Sequence, residues 1–178
     1  RTTPIALFDA CAQAGVQRWP QADVVALLKT GVAPQASVIG PMAEVVFRST
    51  QYLSDADARA MAVYLQALPQ HAATPAKQAV APASVMERGA KVYEAQCAQC
   101  HGAQGQGAKD EAGQPAFPPL AGNRAVVLAD PTNLVRVVLQ GGYLPATAGN
   151  PRPHGMPPFQ HLLGDEDVAA VTTFVRNS

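Results

Sequence analysis

Two stretches of the sequence recur 110 residues further along the chain, and this repeat restricts the folds that the chain can adopt. Residues 23–31 (DVVALLKTG) align with residues 133–141 (NLVRVVLQG), and residues 54–65 (SDADARAMAVYL) align with residues 164–175 (GDEDVAAVTTFV). All four stretches have apolar residues at helical spacing, and the first pair begins with Asp or Asn and ends with Gly, as many helices do. Two matches in one register favour a duplicated helical unit over a chance likeness.

A linker between the two copies sets the predicted domain boundary. Residues 72–83 (AATPAKQAVAPA) contain two prolines and no helical stripe, a composition typical of a semi-extended linker. We therefore predict an incomplete unit at residues 1–71, which corresponds to the back half of the repeat, and a complete unit at residues 84–178. The front half of the first unit is expected upstream of Arg1, or else to have been lost.

The composition and the helix signals predict an all-α fold. Apolar residues make up 48% of the chain but aromatic residues only 6%, so the core must consist largely of small aliphatic side chains, which suit helical packing. In the complete unit, Ser84 and Glu87 have the spacing of a capping box at a helix start. Gly89 and Tyr93, one turn apart, predict a flat helix surface that another helix can cross closely. The last helix is expected from about Asp165.

Charge and hydropathy exclude several classes of partner. Thirteen basic residues balance thirteen acidic residues, so no overall field attracts nucleic acid or an anionic membrane, and we predict no nucleic-acid partner. No apolar run approaches the roughly 18 to 20 residues that a membrane-spanning helix needs, so no transmembrane segment is predicted. If Cys97 and Cys100 act together, Cys11 is left alone, and we expect it to be a small buried apolar side chain.

The run Cys97-Ala-Gln-Cys100-His101 carries the most specific chemistry in the sequence. On a helical turn these three side chains project to one face. Two thiols can bond the two vinyl groups at one porphyrin edge while the imidazole reaches the iron, and C-x-x-C-H is the attachment signal of haem c. The alternatives are a zinc site, a redox-active dithiol, and a plain disulfide or a pair of core cysteines. Zinc needs four ligands, and a redox-active dithiol usually follows a strand in a βαβ pattern, so we favour haem.

A second axial ligand is expected on a loop at the far side of the haem. Met156 lies in PRPHGMPPF, where prolines restrict the backbone and a soft thioether can be held over the iron. His154 and His161 are alternative ligands, and Met156 could instead simply fill core space. The first copy of the repeat carries Met42 in a proline-containing loop between its two helices.

The segment from residue 117 to residue 120 (FPPL) can support the axial histidine. The free N–H of His101 needs an acceptor, and the stiff backbone around Pro118 can supply a carbonyl, while Leu120 can pack on the porphyrin. The alternative is that these prolines only shape a surface turn. With both axial positions filled the iron has no open site for a substrate, so we predict an electron carrier and not an enzyme. The alternative function is a haem enzyme or a gas or redox sensor in which Met156 leaves the iron.

On these residues the sequence resembles class I c-type cytochromes. The likeness covers Gly89 and Tyr93 and the attachment run with its following Gly102. It also covers residues 118–122 (PPLAG) and the pair Met156-Pro157. Longer stretches resemble the second and third units of the three-haem cytochrome subunits of bacterial membrane-bound alcohol, gluconate and related dehydrogenases: RWPQADVVALLKTG, GPMAEVV, STQYLSDADARAMAVYLQALP, FPPLAGN and DPTNLVRVVLQGG.

The resemblance implies roles for individual residues and for the protein. Cys97 and Cys100 would form thioethers to haem c, His101 and Met156 would be the axial ligands, and Met42 would bind a possible second haem. Electrons would come from a partner dehydrogenase subunit and pass to a downstream acceptor of the respiratory chain in the periplasm. The chain departs from the family because it contains no attachment motif for the haem of Met42.

Overall fold

The computed structural model describes residues 15–69, 80–111, 113 and 115–178, and Cys11 therefore lies outside the described residues. The chain divides into two compact units. Within the described residues, the first unit comprises residues 15–69 and 143–153, and the second comprises residues 80–142 and 154–178. The predicted all-α class is confirmed, because helices provide most of the regular structure and every strand is two or three residues long.

In its described residues, the first unit contains three α-helices and a short hairpin. Its elements in chain order are helix α1 (Gln21–Thr30), strands β1 (Val32–Ala33) and β2 (Ala36–Ser37), helix α2 (Pro41–Arg48), a 3-10 turn (Thr50–Tyr52) and helix α3 (Asp55–Ala67). The two strands are antiparallel, with Val32 opposite Ser37. The buried core is almost entirely aliphatic, with one tryptophan: Val16, Trp19, Val24, Leu27, Leu28, Ala33, Ala36, Val38, Ala43, Val46 and Ala62.

Residues 143–153 belong to the first unit, whereas the sequence analysis assigned them to the C-terminal unit. Leu144 is 6% exposed, and Pro145 lies so close to Gly31 that a Cβ on Gly31 would be 2.5 Å from its Cγ. Gly31 ends α1 in the left-handed conformation, with φ of 75°. The glycine therefore both stops the helix and leaves space for Pro145.

The second unit contains the longest helix and several short elements. In the described residues they are α4 (Ala83–Gln96), α5 (Ala98–His101), β3 (Ala108–Lys109), β4 (Pro115–Phe117), α6 (Arg124–Val127), α7 (Thr132–Gln140), β5 (Gly142–Tyr143, of which only Gly142 belongs to this unit), β6 (Gly155–Met156) and α8 (Asp165–Asn177). Strands β3 and β4 are antiparallel, with Ala108 opposite Phe117. Among the helices in the described ranges, none has both the length and the apolar character needed to cross a membrane.

Helices α4 and α8 cross in direct contact at Gly89, as the sequence predicted. A Cβ on Gly89 would lie 2.3 Å from the backbone oxygen of Ala170 and 2.6 Å from Cβ of Phe174. One turn along α4, the ring of Tyr93 packs on Phe174 with 5.5 Å between centroids. At the outer edge of the crossing, Nε of Arg88 lies 2.7 Å from Oδ1 of Asp167. The absent side chain of Gly89 thus permits the close packing of the two helices.

The repeat predicted from the sequence is present as matching helices. Helices α3 and α8 are both 13 residues long and start at Asp55 and Asp165, 110 residues apart. Helices α1 and α7 both end directly before a glycine with positive φ. They begin at Gln21 and Thr132, slightly before the Asp and Asn expected as their first residues.

Two local predictions are wrong. Helix α4 begins at Ala83 after Pro82 and has no side-chain capping bond, so Ser84 and Glu87 do not form the predicted capping box. The φ of Pro82 is already close to a helical value, and this lets the helix begin earlier than the serine.

Met42 was expected in a loop, but it lies in the first turn of α2, where Pro41 is the first helical residue.

Candidate functional site

The C-x-x-C-H run forms a single turn at the junction of two helices. Cys97 is the residue between α4 and α5, and its backbone N–H donates to the carbonyl oxygen of Tyr93 at 2.9 Å. The N–H of His101 donates in turn to the carbonyl oxygen of Cys97 at 2.9 Å. Both thiols are half-buried and are not joined in a disulfide, whereas His101 is only 8% exposed. The backbone therefore holds two free thiols and a buried imidazole together.

Burial keeps Cys97 and His101 uncharged. Desolvation raises the pKa of the Cys97 thiol to about 11, and the neighbouring Cys100 adds to this shift. Desolvation also lowers the pKa of His101, although the backbone hydrogen bond to Pro118 partly opposes this. The cysteine is thus a thiol and the histidine a neutral imidazole at neutral pH. Neutral imidazole is the form that binds a metal ion.

The ring of His101 is oriented by a backbone carbonyl. Its Nδ1 lies 2.9 Å from the carbonyl oxygen of Pro118. A carbonyl oxygen can only accept a hydrogen bond, so Nδ1 carries the proton and Nε2 carries the lone pair. This arrangement leaves Nε2 as the nitrogen that can bind a metal, and it makes the segment around Pro118 part of the support of the imidazole.

Two glycines hold the supporting segment against the C-x-x-C-H turn. The carbonyl oxygen of Gly105 accepts hydrogen bonds from the N–H groups of Leu120 and Ala121, at 2.7 and 2.9 Å. Gly107 donates to the carbonyl oxygen of His101 at 2.7 Å and has a φ of 73°. A Cβ on Gly107 would lie 2.6 Å from the carbonyl oxygen of Phe117. Only glycine fits this position, because the backbones are in contact there.

Met156 lies on a loop that is fixed at several points. A Cβ on Gly141, at the end of α7, would be 2.3 Å from the carbonyl oxygen of Met156. After the loop, the N–H of Phe159 donates to the carbonyl oxygen of Val138 in α7 at 3.1 Å. Before it, the imidazole of His154 stacks on Phe117 with 4.7 Å between ring centroids. Because Phe117 precedes Pro118, this stacking joins the loop of Met156 to the segment that supports His101.

The two histidines considered as alternative ligands lie on the surface. His154 is exposed and stacked on Phe117, and His161 is exposed with its Nε2 3.2 Å from Nε2 of Gln160. Leu120 is half-buried and lines a cavity of about 280 Å³ together with Tyr93 and Phe174. In the part of the chain that the structure describes, no group of three or more His, Cys, Asp or Glu side chains is arranged to hold a metal ion.

Met42 lies in the first unit, beside a separate apolar cavity. The side chain is half-buried, and the cavity has a volume of about 150 Å³. Besides Met42, the residues around the cavity are mostly aliphatic and include a second methionine: Leu27, Leu28, Val38, Val45, Val46, Thr50 and Met61. Met61 was not singled out from the sequence, where it looks like any apolar residue of an amphipathic helix.

Two contributors to the site were not predicted. The hydroxyl of Tyr93 donates to the carbonyl oxygen of Gly102 at 2.6 Å, just after the C-x-x-C-H turn. Asn123 is 3% exposed and bonds to the segment that supports His101. The spacing of Tyr93 indicated only a helix face, and Asn123 was seen only as part of the FPPLAGN stretch. Neither pattern reveals which backbone group a side chain will reach.

The donor set fits a covalently attached haem. Two free thiols lie on the same turn as an imidazole whose Nε2 carries the lone pair, and the other ring nitrogen is held by a rigid carbonyl. A soft thioether donor is available on a loop fixed to the same unit. These are the donor types that attach and ligate haem in c-type cytochromes.

Comparison with known proteins agrees with this chemistry. The family model for cytochrome c matches residues 86–178. The chain is 39% identical over 173 residues to the cytochrome c subunit of the quinone alcohol dehydrogenase of Gluconobacter oxydans, covering 91% of this chain and 34% of the relative. It is 32% identical over 188 residues to the fructose dehydrogenase cytochrome subunit of Gluconobacter japonicus, covering 92% of this chain and 37% of the relative. For the gluconate 2-dehydrogenase cytochrome c subunit of Pantoea cypripedii the identity is 33% over 172 residues, covering 92% of this chain and 38% of the relative.

The comparisons confirm the resemblance found in the sequence. The chain spans little more than a third of the length of these relatives, each of which is named as a cytochrome subunit. The naming of each relative as a cytochrome subunit supports the prediction that the chain is an electron carrier and not an enzyme. Because the family match covers more than half of the chain and includes the whole C-x-x-C-H turn, the protein belongs to the cytochrome c family, whose class I members carry electrons on covalently bound haem c.

Proposed function

We propose that this chain is part of a periplasmic cytochrome in which His101 and Met156 bind the iron of one haem c that Cys97 and Cys100 attach covalently. The observation that carries the proposal is the hydrogen bond from Nδ1 of His101 to the carbonyl oxygen of Pro118, at 2.9 Å. This bond directs Nε2 away from the protein backbone on the same turn that presents the two thiols. When bound, the haem iron alternates between the ferric and ferrous states and so carries one electron.

The fixed loop of Met156 supports this residue as the second axial ligand. The loop is held by the contact of Gly141 with the Met156 backbone and by the stacking of His154 on Phe117. A ligand on a fixed loop changes position little between oxidation states, which favours rapid electron transfer. A thioether opposite an imidazole also raises the reduction potential relative to two imidazoles. His154 is less suitable as a ligand, because its ring is already stacked on Phe117.

The partners follow from the relatives. Because the relatives are cytochrome subunits of dehydrogenases, we propose that the electron donor is a dehydrogenase subunit and that the acceptor is a component of the respiratory chain. The chain has equal numbers of basic and acidic residues. Docking would therefore use a local and partly apolar surface more than long-range electrostatic attraction.

The proposed organisation is an incomplete cytochrome unit at about residues 1–71, a linker at 72–83 and a complete unit at 84–178, from which residues 143–153 depart because they group with the first unit. Matching helices support the repeat, since α3 and α8 have the same length and the same spacing from α1 and α7. Met42 lines an apolar cavity in the first unit and would be the axial ligand of a second haem. The attachment motif of that haem would have to come from outside this sequence.

The axial methionine is tested by replacing Met156 with leucine. We expect the oxidised wild-type protein to show the methionine–iron absorption band at ~695 nm and to bind carbon monoxide poorly, because both axial positions are filled. The Met156→Leu variant should lose the band, bind carbon monoxide at once and have a reduction potential lower by more than about 59 mV, which is tenfold in the one-electron equilibrium.

Met86 provides the matched control, because it is a half-buried methionine on α4. The Met86→Leu variant should retain the band and the potential. A wild-type protein that is high-spin and binds carbon monoxide immediately would contradict the proposal and favour a haem enzyme or sensor. A low-spin wild-type protein that lacks the band, and that binds carbon monoxide only when His154 is replaced, would instead show that His154 is the ligand.

The number of haems tests the role of Met42. The 178-residue chain has one C-x-x-C-H motif, so we expect one covalent haem per chain by iron analysis and intact mass. If a longer form of the chain supplies a second attachment motif, we expect at least one more haem, and Met42→Leu should alter the spectrum and potential of only that additional haem. Met61→Leu, in the same cavity, is the control. An unchanged spectrum for the Met42→Leu protein would contradict the assignment.

A further inference from the structure

We infer that Asn123 is a positioning residue that holds the Pro118–Pro119 backbone in place and thereby sets the strength of the hydrogen bond to His101. This inference rests on the proposed binding of the haem iron by His101. Asn123 is 3% exposed, which makes it one of the few fully buried polar side chains among the described residues of the second unit. A buried amide that is not fully hydrogen-bonded is costly, so its partners indicate its role.

Both ends of the Asn123 side chain are hydrogen-bonded to the backbone. Its Nδ2 donates to the carbonyl oxygen of Pro119 at 2.9 Å, and its Oδ1 accepts from the N–H of Ala125 at 3.0 Å. Its own backbone N–H donates to the carbonyl oxygen of Leu120 at 3.1 Å. The first bond restrains the proline segment, and the second caps the start of α6. Because the two bonds use opposite ends of the amide, the side chain has a single orientation.

The bond from Asn123 holds the Pro119 carbonyl, which is next to the Pro118 carbonyl that accepts a hydrogen bond from His101. The ring of each proline fixes φ, so ψ is the remaining soft backbone torsion at Pro118 and Pro119. Asn123 holds the Pro119 carbonyl and so restricts ψ of that residue. On the other side, a Cβ on Gly107 would lie 3.0 Å from the carbonyl carbon of Pro118, so the backbones pack closely there. The Pro118 carbonyl that accepts from His101 therefore lies between the Pro119 carbonyl, which Asn123 holds, and the close contact with Gly107.

The direction of this carbonyl affects the metal chemistry of the imidazole. A short bond from Nδ1–H makes Nε2 more electron-rich and stabilises the ferric form of bound iron. If the carbonyl turns or moves, the bond weakens, the ferric form loses stabilisation and the reduction potential rises. Loss of the Asn123 bond should thus raise the potential while leaving the thioethers and the axial ligands unchanged.

The test separates the two hydrogen bonds of the side chain. In Asn123→Ser the hydroxyl can still cap α6, but it is too short to reach the Pro119 carbonyl. We expect Asn123→Ser to keep its covalent haem and the Met156 band. Its reduction potential should rise enough to shift the one-electron equilibrium about threefold to tenfold, and a tenfold shift corresponds to about 59 mV. The hyperfine-shifted proton resonances of the His101 ring should move in the same protein. Asn123→Thr, which also keeps the cap and fills more of the space, should behave in the same way and replaces the serine variant if that one is unstable.

Two controls distinguish positioning from general stability. Asn133→Ser changes an exposed asparagine on α7 and should alter neither the potential nor the His101 resonances. Val168→Ala opens space in the core at α8 and should lower the melting temperature without shifting the potential. If the Asn123 variants hold haem with wild-type potential and wild-type His101 resonances, the inference is wrong and the proposed function stands. If the wild-type protein holds no covalent haem, the proposed function itself fails.

Discussion

Replacing Gly89 by valine should unfold the second unit at temperatures where the wild-type unit is stable. A Cβ at this position would lie 2.3 Å from the backbone oxygen of Ala170 and 2.9 Å from its carbonyl carbon. Extra volume in a packed core typically costs 1–3 kcal/mol, and here the obstacle is backbone, which cannot change rotamer, so we expect at least ~3 kcal/mol. That is a large part of the ~5–15 kcal/mol that stabilises a typical domain.

The measurement is thermal unfolding followed by circular dichroism and by the absorbance of the haem. A loss of ~3 kcal/mol corresponds to a fall in melting temperature of at least about 12 °C for a unit of this size. Gly164→Ser is the matched control: a Cβ there meets nothing within 4 Å, and serine is a favourable residue at the start of α8. A Gly89→Val protein that melts within about 2 °C of the wild type would show that α4 and α8 do not cross at this glycine.

Replacing both Cys97 and Cys100 by alanine should abolish covalent haem attachment. In the proposed attachment each thiol would add across one vinyl group: a carbon–sulfur bond would form, the S–H bond would break, and the hydrogen would go to the other vinyl carbon. No oxidant or reductant is consumed, so attachment needs only two reduced thiols near the vinyl groups. The two cysteines are not joined in a disulfide and lie on one turn, which satisfies this requirement.

Haem that survives denaturing electrophoresis gives the readout, together with intact mass. The double variant should retain no haem, and each single variant should keep one thioether and a reduced yield. Cys11→Ala is the control, because the third cysteine of the sequence is not part of the C-x-x-C-H motif. Covalent haem on the double variant would contradict the assignment of these two residues, and loss of haem from Cys11→Ala would show that Cys11 has a role in attachment.

The features that the sequence revealed are those with local causes. A C-x-x-C-H run must lie within about one helical turn, so the proximity of Cys97, Cys100 and His101 follows from the chain itself. The crossing at Gly89 was also predictable, because a glycine one turn before a tyrosine makes a flat place on a helix. The lengths of α3 and α8 could be read from two stretches with the same pattern of apolar residues.

The features that the sequence did not reveal depend on contacts between distant residues. Residues 143–153 look like an ordinary proline-rich loop, and nothing in their pattern indicates that Pro145 fits beside Gly31. The amide of Asn123 could have met water or any nearby carbonyl, and its partner Pro119 is fixed only by the three-dimensional path of the loop. Helix α4 starts at Ala83, before the cap-like Ser84, because Pro82 already has a φ close to a helical value.

The assignment of residues 143–153 to the first unit has a consequence for the order of events during synthesis. The first unit cannot be completed when residue 69 leaves the ribosome, because Leu144 and Pro145 belong to it. At about 5–20 residues per second, the remaining chain up to residue 153 takes on the order of ten seconds to emerge. During that interval the side of α1 around Gly31 lacks its contact with Pro145.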